Sequence, residues 1–391
     1  MDIKPSVFEN TEVAFAGKTD GELQKAKALF SLMGNNGLVS LGSGIADFAL
    51  KIHLPVAPLF KWTVYDQFCG GETFEECTRT IAKLAQQNVG VLLNYGIELK
   101  ETEEDFNKAL EINIDAIKFA GKNRGVKAVC VKPTGYGRFE LFEKVQRGES
   151  LKGNEKKEYE KVYDRFIELC EEAERHDVII YVDAEESWIQ DTLDNMVEEL
   201  MQKFNRKKCI VANTFQLYRW DRLDYLKQQI DKAKAGNYFL GAKLVRGAYM
   251  EKERDRAKEM GYKSPIHRSK KAVDTDYNEA VELCLQNLHY IHLCVASQSE
   301  ESNLLAIRAI DKMKLERFNE NIVFSQLYGM GDNITFNLAK LGFNATKYLP
   351  YGKVKDVIPY LIRRAQENTS VAGQTGRELS LISKEIKRRK N

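Results

Sequence analysis

Short β-rich runs recur along this sequence from about residue 85 onward, and longer, charged amphipathic segments separate them. The runs lie at 89–95, 128–134, 178–184, 209–215, 238–245, 290–296, 321–327 and 346–350, and the last is short and weak. Such alternation is typical of strand-helix-strand units around a parallel sheet. Eight units predict a closed (βα)8 barrel of the α/β class, because an open doubly wound sheet usually has fewer strands and a glycine-rich first turn. The chain contains neither GxGxxG after a strand nor GxxxxGKS/T.

Two regions fall outside the repeat and suggest further parts. Residues 1–84 are expected to form a helical N-terminal extension, 85–380 the barrel, and 381–391 a basic tail. After the second strand, residues 136–166 form a highly charged helical insertion. Loops that follow barrel strands lie at the catalytic face, so the insertion could overhang the site, although a solvated helical arm is the commoner meaning of so charged a run.

The balance of charges and the cysteines exclude several classes of protein. Lys and Arg total 59 against 57 Asp and Glu, a net charge of +2, so nucleic acid is not an expected partner. The seven cysteines include no pair at the two-residue spacing of a zinc or redox site, and we expect reduced, mostly buried thiols. Acidic residues among the first thirty argue against a secretory or transit peptide, so we expect a cytoplasmic protein that begins at Met1.

The most apolar N-terminal stretch, 38–60, contains Asp47, Lys51 and His53. These residues interrupt it well below the ~18 uncharged positions that a transmembrane helix needs. We therefore expect a helix that packs on the main body.

In a barrel, active-site groups come from the carboxyl ends of the strands, where side chains converge on one mouth. Here those ends carry Lys132, Asp183 with Glu185, Gln216, Arg246-Gly247-Ala248-Tyr249, Ser297-Gln298, Tyr328-Gly329 and Tyr348. Asp183 follows an apolar run, and a carboxylate at the edge of a low-dielectric interior needs a cation. Lys132 on the neighbouring strand is the candidate partner, although it could instead be the Schiff-base lysine of an aldolase.

The segment 241–257 carries two further cations close to a glycine. Gly247 would let the backbone approach a planar or phosphorylated ligand closely, and Lys243 and Arg246 would offer it positive charge. The two histidines at 289 and 292 are spaced like metal ligands, but no acid or cysteine nearby completes a set, so no metal is expected.

A pair of adjacent arginines near the end of the chain suggests anion binding. Arg363 and Arg364 precede Glu367 by four and three residues, so one helical face can hold an ion pair while the other arginine remains available. A guanidinium fork is suited to bidentate capture of a small carboxylate.

Three segments, YLPYGKVKDVIPYLIRRAQEN, KLVRGAYMEKER and FSQLYGMGD, closely resemble the signature segments of the proline dehydrogenase family. The resemblance covers roughly residues 85–380 and is closest to the subgroup with an inserted arm that includes the eukaryotic mitochondrial enzymes. It implies a distorted (βα)8 TIM-like barrel that binds FAD without a Rossmann fingerprint and oxidises L-proline to Δ1-pyrroline-5-carboxylate.

The resemblance also implies roles for individual residues. Catalytic roles fall to Asp183, Lys243 and Lys132, with Asp183 in the polar network beside the substrate. The residues implied to bind the substrate by its carboxylate or its ring are Lys132, Tyr249, Leu327, Tyr348, Arg363 and Arg364. Those implied to contact FAD are Gln216, Lys243, Val245, Arg246, Gly247, Ala248, Ser297, Gln298 and Glu367.

Three positions depart from the pattern of many bacterial relatives. Lys243 stands where they have Arg, Met250 where they have Trp, and Gln298 where they have His. Because Lys is a point charge and cannot fork as Arg does, the exchange at 243 alters the contacts and the reduction potential expected for the flavin.

By analogy with the family, electrons would pass to a membrane quinone from a cytoplasmic protein, and peripheral contact with the inner membrane is allowed. Oxidation of 4-hydroxyproline is an alternative. Relatives with that activity tend to have a smaller residue at the position of Tyr348, so the phenol favours unsubstituted proline on steric grounds. A lysine-dependent lyase, or a binding barrel without flavin, is the alternative of a different class, and the yellow colour of a flavoprotein would separate it.

Overall fold

Eight parallel strands, β1 to β8, follow one another in sequence order and close into a barrel. The computed structural model describes residues 3–34, 61–96, 101–358, 360–362 and 374–391. The strands are Val89–Tyr95, Val126–Val131, Ile179–Val182, Val211–Gln216, Leu240–Val245, Ile291–Ala296, Ile322–Leu327 and Ala345–Tyr351. The (βα)8 barrel expected from the sequence is confirmed, and the last strand is seven residues long rather than short.

Helices lie before the barrel, between its strands and after it. The N-terminal helices are Thr11–Ala14, Asp20–Met33, Asp66–Phe68 and Phe74–Ala85, with a 3-10 turn at Pro5–Glu9 and a π-helical turn at Lys61–Tyr65. Those between strands are Glu103–Lys122, Phe139–Gln146, Glu155–His176, Ser187–Phe204, Arg222–Gly236, Met250–Met260, Lys270–Gln286, Glu300–Lys312 and Asp332–Lys340, with 3-10 turns at Pro133–Gly135 and Leu288–Tyr290. After β8, residues 354–358 and 360–362 are helical, and Gln374–Lys390 forms the C-terminal helix.

The helix Glu103–Lys122 shows how the local sequence determines an element. Phe106, Leu110, Ile114 and Ile117 have the spacing of one helix face and predict a helix over 103–122, which the structure confirms with the same bounds. Thr102 caps its start by accepting a hydrogen bond from a first-turn amide at 3.2 Å. The first and last of the four apolar residues are buried and the middle two are half-buried, because the buried stripe follows the helix's small alanines.

The chain divides into two compact units. The first comprises Met1–Ile97 and Gln326–Asn391, and the second comprises Glu98–Ser325. The boundaries expected at residues 84 and 380 stay predictions, since compactness does not show which segments fold on their own.

The first unit has an apolar core to which both ends of the chain contribute. Phe30 and Tyr65 from the N-terminal part, Met330 and Ile358 from the barrel part, and Leu381 from the C-terminal helix are all buried in it. Shared burial of this kind is what holds the terminal helices in place.

The segment 381–391, expected as a basic tail, belongs to the C-terminal helix. Arg389 donates hydrogen bonds to the carbonyl oxygens of Phe15 and Lys18 and to Asp20, each at 2.8 Å. The segment is therefore helical rather than a loose tail, and its last arginine contacts the N-terminal part of the same unit.

In the second unit, the charged stretch after β2 forms two helices. The second of them, Glu155–His176, leads to β3, so the insertion expected over 136–166 extends into a regular barrel helix. Tyr136, Phe142 and Phe166 are almost fully buried. The favoured interpretation of a solvated arm is wrong, because a solvated arm would bury no apolar stripe.

The stretch 38–60, expected to be a packed helix, lies entirely outside the described residues, which resume at Lys61. None of the helices that are described is long and apolar enough to cross a membrane. All seven cysteines lie in described parts of the chain and are free and buried, as expected.

Candidate active site

Three charged side chains meet at the carboxyl ends of β2, β3 and β5. Lys132 directly follows β2, Asp183 directly follows β3, and Lys243 lies within β5. The Lys243 ammonium donates a hydrogen bond to Asp183 Oδ1, and Lys132 Nζ lies 3.8 Å from Asp183 Oδ2. Asp183 is 8% exposed and Lys243 is 5% exposed. The three residues expected to be catalytic therefore form one cluster of two cations and one anion, in which Asp183 and Lys243 are buried and Lys132 is half-buried.

The closest cation to Asp183 is Lys243, whereas the sequence pointed to Lys132. That expectation relied on the adjacency of β2 and β3, but side chains that point to the axis of a barrel also meet across its interior. Burial acts to lower the pKa of Lys243, but the Asp183 charge raises it by more, so the pKa lies above its usual value. Lys243 thus stays charged at neutral pH.

Glu185 holds four strand ends together. Its Oε2 accepts a hydrogen bond from Tyr249 Oη at 2.9 Å, and its Oε1 accepts one from Thr134 Oγ1 at 3.0 Å. Its carbonyl oxygen accepts a hydrogen bond from Gln216 Nε2 at 2.7 Å. Thr134 follows β2, Gln216 ends β4 and Tyr249 follows β5. One buried acid therefore sets the positions of two residues expected to bind substrate or cofactor, Tyr249 and Gln216.

Burial raises the pKa of Glu185 to about 7, against the opposing charge of Lys132 and the two hydroxyl donors. The sequence analysis placed Glu185 at a strand end but assigned it no role. The signal that could have found it is an acid in the run after an apolar strand, two residues beyond Asp183. A carboxyl that titrates near neutral pH is a common property of functional sites.

Arg246, which directly follows β5, is held by the helix Lys270–Gln286 between β5 and β6 and by the residue that follows β6. Its Nε and Nη2 donate to Asp274 Oδ1 at 2.9 and 2.7 Å, and its Nη1 donates to Ser297 Oγ at 2.6 Å. Its guanidinium carbon lies 4.5 Å from the centre of the Tyr277 ring. Val245, which precedes Arg246 in the chain, and Gln298, which follows Ser297, are half-buried. The structure therefore brings together Arg246 and Ser297, both expected to contact FAD.

Gly247 and Ala248 form an exposed turn after β5. Gly247 has a φ of 136°, which L side chains rarely adopt. A Cβ atom on it would also lie 2.5 Å from the Tyr218 ring. The glycine is therefore required by its backbone and by Tyr218, which differs from the expectation that it makes room for a ligand.

Leu327 and Tyr348 lie in the first unit, at the end of β7 and in the middle of β8, and both are half-buried. The amide of Tyr328 donates to the Tyr348 carbonyl oxygen at 2.9 Å, which joins the end of β7 to β8. Of the other expected site residues, Arg363, Arg364 and Glu367 lie outside the described residues.

A second buried charge cluster in the first unit was missed from the sequence. Lys347 of β8 has its Nζ 2.7 Å from Asp332 Oδ1, and Lys18 Nζ lies 3.3 Å from Asp332 Oδ2. Glu378 of the C-terminal helix accepts a hydrogen bond from the Gly331 amide at 2.6 Å. Burial, reinforced by the Asp332 charge, raises the pKa of Glu378 to about 7. The cluster connects β8 to both terminal helical regions.

His292, weighed above as a metal ligand, is a buried residue of β6. Its Nε2 lies 2.7 Å from Tyr181 Oη, and burial lowers its pKa to about 4. The neutral ring is thus part of a polar contact in the core.

A family model described as proline dehydrogenase matches residues 77–377. Carbapenem antibiotics biosynthesis protein CarD of Pectobacterium carotovorum subsp. carotovorum is 33% identical over 88% of this chain and 89% of its own length. Proline dehydrogenase 1, mitochondrial, of Dictyostelium discoideum is 30% identical over 97% of this chain and 74% of its own length. The matched region includes every strand and nearly every residue discussed above.

A solved structure of proline utilization A from Bdellovibrio bacteriovorus, inactivated by N-propargylglycine, matches with a TM-score of 0.73 and 17% identity. The match covers 92% of this chain and 38% of that chain, so this chain spans well under half of that protein's length. At this identity the similarity supports the fold alone.

Proposed function

The chain belongs to the proline dehydrogenase family and is an oxidoreductase of that family, and from this premise we propose that it oxidises L-proline to Δ1-pyrroline-5-carboxylate by hydride transfer to FAD. The observation that carries the proposal is the cluster of half-buried Lys132 with buried Asp183 and Lys243 at the strand ends. Its excess of cations suits both a carboxylate substrate and negative charge that develops during the reaction.

The residues at the ends of β4, β5 and β6 fit FAD by their chemistry. They are hydrogen-bond donors of four kinds, an amide, an ammonium, a guanidinium and a hydroxyl, carried by Gln216, Lys243, Arg246 and Ser297. A flavin dinucleotide presents acceptors, namely ring carbonyls and phosphates, which such donors match. When bound, FAD supplies the acceptor for the hydride.

The chain's own residues would bind and orient the substrate. In the second unit, Lys132 would hold the carboxylate, and Tyr249, fixed by Glu185, would contact the ring. In the first unit, Leu327 and Tyr348 are the matching ring contacts, and Arg363 and Arg364 match the carboxylate-binding pair of the family. Positioning of this kind reduces the entropic part of the barrier.

Lys243 would supply permanent positive charge at the site. Its salt bridge with Asp183 keeps it charged in a buried position, and the bond fixes its direction. A preorganised cation of this kind stabilises the charge of the transition state at little reorganisation cost.

We further propose a quinone as the electron acceptor and a cytoplasmic protein with peripheral contact to the inner membrane. An exposed aromatic residue of the second unit supports the membrane contact. Trp220 is 47% exposed, and Lys263 Nζ lies 4.4 Å from the centre of its ring. Aromatic residues beside lysines are typical anchors at a membrane interface.

Tyr348 favours proline over 4-hydroxyproline as the substrate. Its phenol occupies the position at which hydroxyproline-oxidising relatives tend to have a smaller residue, and extra bulk disfavours a ring that carries a hydroxyl.

The test is anaerobic mixing of the purified protein with L-proline while the visible absorbance is recorded. We expect a yellow protein whose absorbance bleaches with proline and bleaches less readily with 4-hydroxyproline. A colourless protein that FAD does not reconstitute would contradict the flavin, and a yellow protein that proline leaves unbleached would contradict the substrate.

A further inference from the structure

Asn94 in β1 is a buried amide that has no partner. The residue is 1% exposed, and neither its Nδ2 nor its Oδ1 has a hydrogen-bond partner within the described parts of the chain. Buried polar groups in proteins nearly always have at least one. An amide left unpaired near the carboxyl end of a barrel strand therefore calls for a functional explanation.

Asn94 lies on the same face of the sheet as Tyr348. In the parallel pair of β1 and β8, Leu92 is the register partner of Tyr348 and Asn94 is that of Pro350. Side chains two residues apart on a strand share a face, and register partners in neighbouring strands do so too. Asn94 is thus a close neighbour of a residue that matches the family's substrate contacts.

The opposite face of these strands is the one that helices cover. Lys347 points to Asp332 at the start of the helix Asp332–Lys340. The ring of Tyr351 lies 5.3 Å from that of Phe74, at the start of the helix Phe74–Ala85. Because Lys347 and Tyr351 point outward, Tyr348 and Asn94 point to the barrel interior.

The neighbouring backbone groups on β8 do not form hydrogen bonds with the Asn94 side chain. Pro350 has no N–H, and its carbonyl oxygen accepts a hydrogen bond from the Gly70 amide at 2.8 Å. The Tyr351 carbonyl oxygen accepts one from the Gly96 amide at 2.9 Å. A ligand in the barrel mouth is therefore the natural partner.

We propose that Asn94 is a substrate-binding residue whose carboxamide pairs with both polar groups of an α-imino acid. Its Oδ1 accepts a hydrogen bond from the ring amine, and its Nδ2 donates one to a carboxylate oxygen. An amide offers an acceptor and a donor side by side, and the amine and carboxylate of an imino acid are attached to one carbon atom in the complementary arrangement. The assignment rests on the proposed function.

The first test is Asn94→Leu, which removes both polar atoms at similar volume. We expect the KM for L-proline to rise at least tenfold and the flavin content to stay at its original value. We also expect the melting temperature to rise, because an unpaired buried amide is replaced by an apolar group. A structural asparagine would behave in the opposite way, with a lower melting temperature and an unchanged KM, and that result would overturn the proposal.

Asn113→Leu is the matched control. Asn113 is also buried, and its Oδ1 likewise lacks a partner among the described residues, but it lies in the helix Glu103–Lys122 rather than at a strand end. We expect it to leave the KM for proline unchanged. An equal rise in KM in both variants would show a general effect of losing a buried amide and would contradict the assignment.

A ligand without the amine separates the two hydrogen bonds. Cyclopentanecarboxylate keeps the ring and the carboxylate, so Asn94→Leu should weaken its inhibition less than it raises the KM for proline. Equal losses would contradict the bond to the amine. If Asn94→Leu does not fold, Asn94→Asp serves instead. Its carboxylate repels that of proline, so we expect a KM at least tenfold higher, and an unchanged KM would overturn the proposal.

The original protein distinguishes this proposal from the one on which it rests. If proline does not bleach it, the proposed function fails. If proline bleaches it and the Asn94→Leu variant saturates at the same proline concentration, only the role of Asn94 fails.

Discussion

At the scale of single residues, the ion pair of Lys243 and Asp183 contributes to the stability of the fold and, in the proposed function, to the reaction. Both groups are buried, and each compensates the charge of the other. Removal of one partner from a buried pair leaves an uncompensated charge, whereas neutralisation of both is far better tolerated.

Lys243→Met should therefore lower the free energy of unfolding by about 3–5 kcal/mol, as measured by urea denaturation. Adding Asp183→Asn should restore most of that loss, because no buried charge then lacks a partner. In stopped-flow experiments, proline should still reduce the flavin of the double variant more slowly than that of the original protein. Fast reduction in a stable double variant would show that the positive charge is not needed.

Arg364→Met tests whether the adjacent arginines bind the carboxylate of the substrate. We expect the KM for proline to rise at least tenfold, since one charge-assisted hydrogen bond contributes about 1.5–3 kcal/mol. The flavin should stay bound, which the absorbance spectrum reports. Proline saturation like that of the original protein would remove Arg364 from the substrate site.

At the scale of elements, the protonation of Glu185 affects the ends of three strands, β2, β3 and β5. As a carboxylate it accepts hydrogen bonds from both Tyr249 and Thr134. Once protonated, it must donate one itself, so one of the two hydroxyls has to turn.

With a pKa of about 7 for Glu185, we expect the KM for proline to rise as the pH falls below about 7. Glu185→Gln should remove this inflection, because an amide does not titrate in this range. Tyr249→Phe is the matched variant at the other end of the bond and should flatten the same feature. An inflection that persists in both variants would assign it to another group.

The C-terminal helix is coupled to pH through Glu378. Burial raises its pKa from 4.5 to about 7, so the folded protein keeps a proton that the unfolded chain releases between these pH values. The contribution of Glu378 to stability is therefore present at low pH and is lost as the pH rises through this window.

Glu378→Gln should have a higher free energy of unfolding than the original protein at pH 8. The difference between the two proteins should change by up to about 3 kcal/mol, in favour of the variant, between pH 4 and pH 8. Unfolding in urea at a series of pH values measures it. Glu385→Gln, on the same helix, is the control of opposite sign. There burial acts to raise the pKa of Glu385, but hydrogen bonds from Arg388 and Arg389 lower it to about 2. Glu385→Gln should therefore be less stable than the original protein above about pH 4.5, and the difference should disappear as the pH falls from 4.5 towards 2.

At the scale of the whole molecule, the proposed flavin should stabilise the barrel when it binds. A ligand that binds only the folded state stabilises it by about 2.7 kcal/mol at a hundred times its dissociation constant. We expect flavin removal to lower the melting temperature by a few degrees and added FAD to restore it. FAD that leaves the melting temperature of the flavin-free protein unchanged would contradict the assignment of the cofactor.

Much of the fold follows from patterns in the sequence. The run over 89–95 has the bounds of β1, and the helix over 103–122 begins and ends where its cap and its apolar spacing predict. The stretch 136–166 was harder, because its surface charges hide an apolar stripe that becomes recognisable only when its partner helices are in place.

The sequence by itself predicted the barrel and the strand ends that carry the candidate site, because hydrophobic period is a local property. The family followed from the resemblance of three signature segments. Which side chains meet was decided only in three dimensions. The choice of Lys243 over Lys132 beside Asp183, the linkage of four strands by Glu185 and the unpaired amide of Asn94 depend on atoms that lie far apart in the chain. Burial makes these contacts energetically important, because a charge or an amide that is removed from water must be compensated by the partners that the closed barrel places beside it.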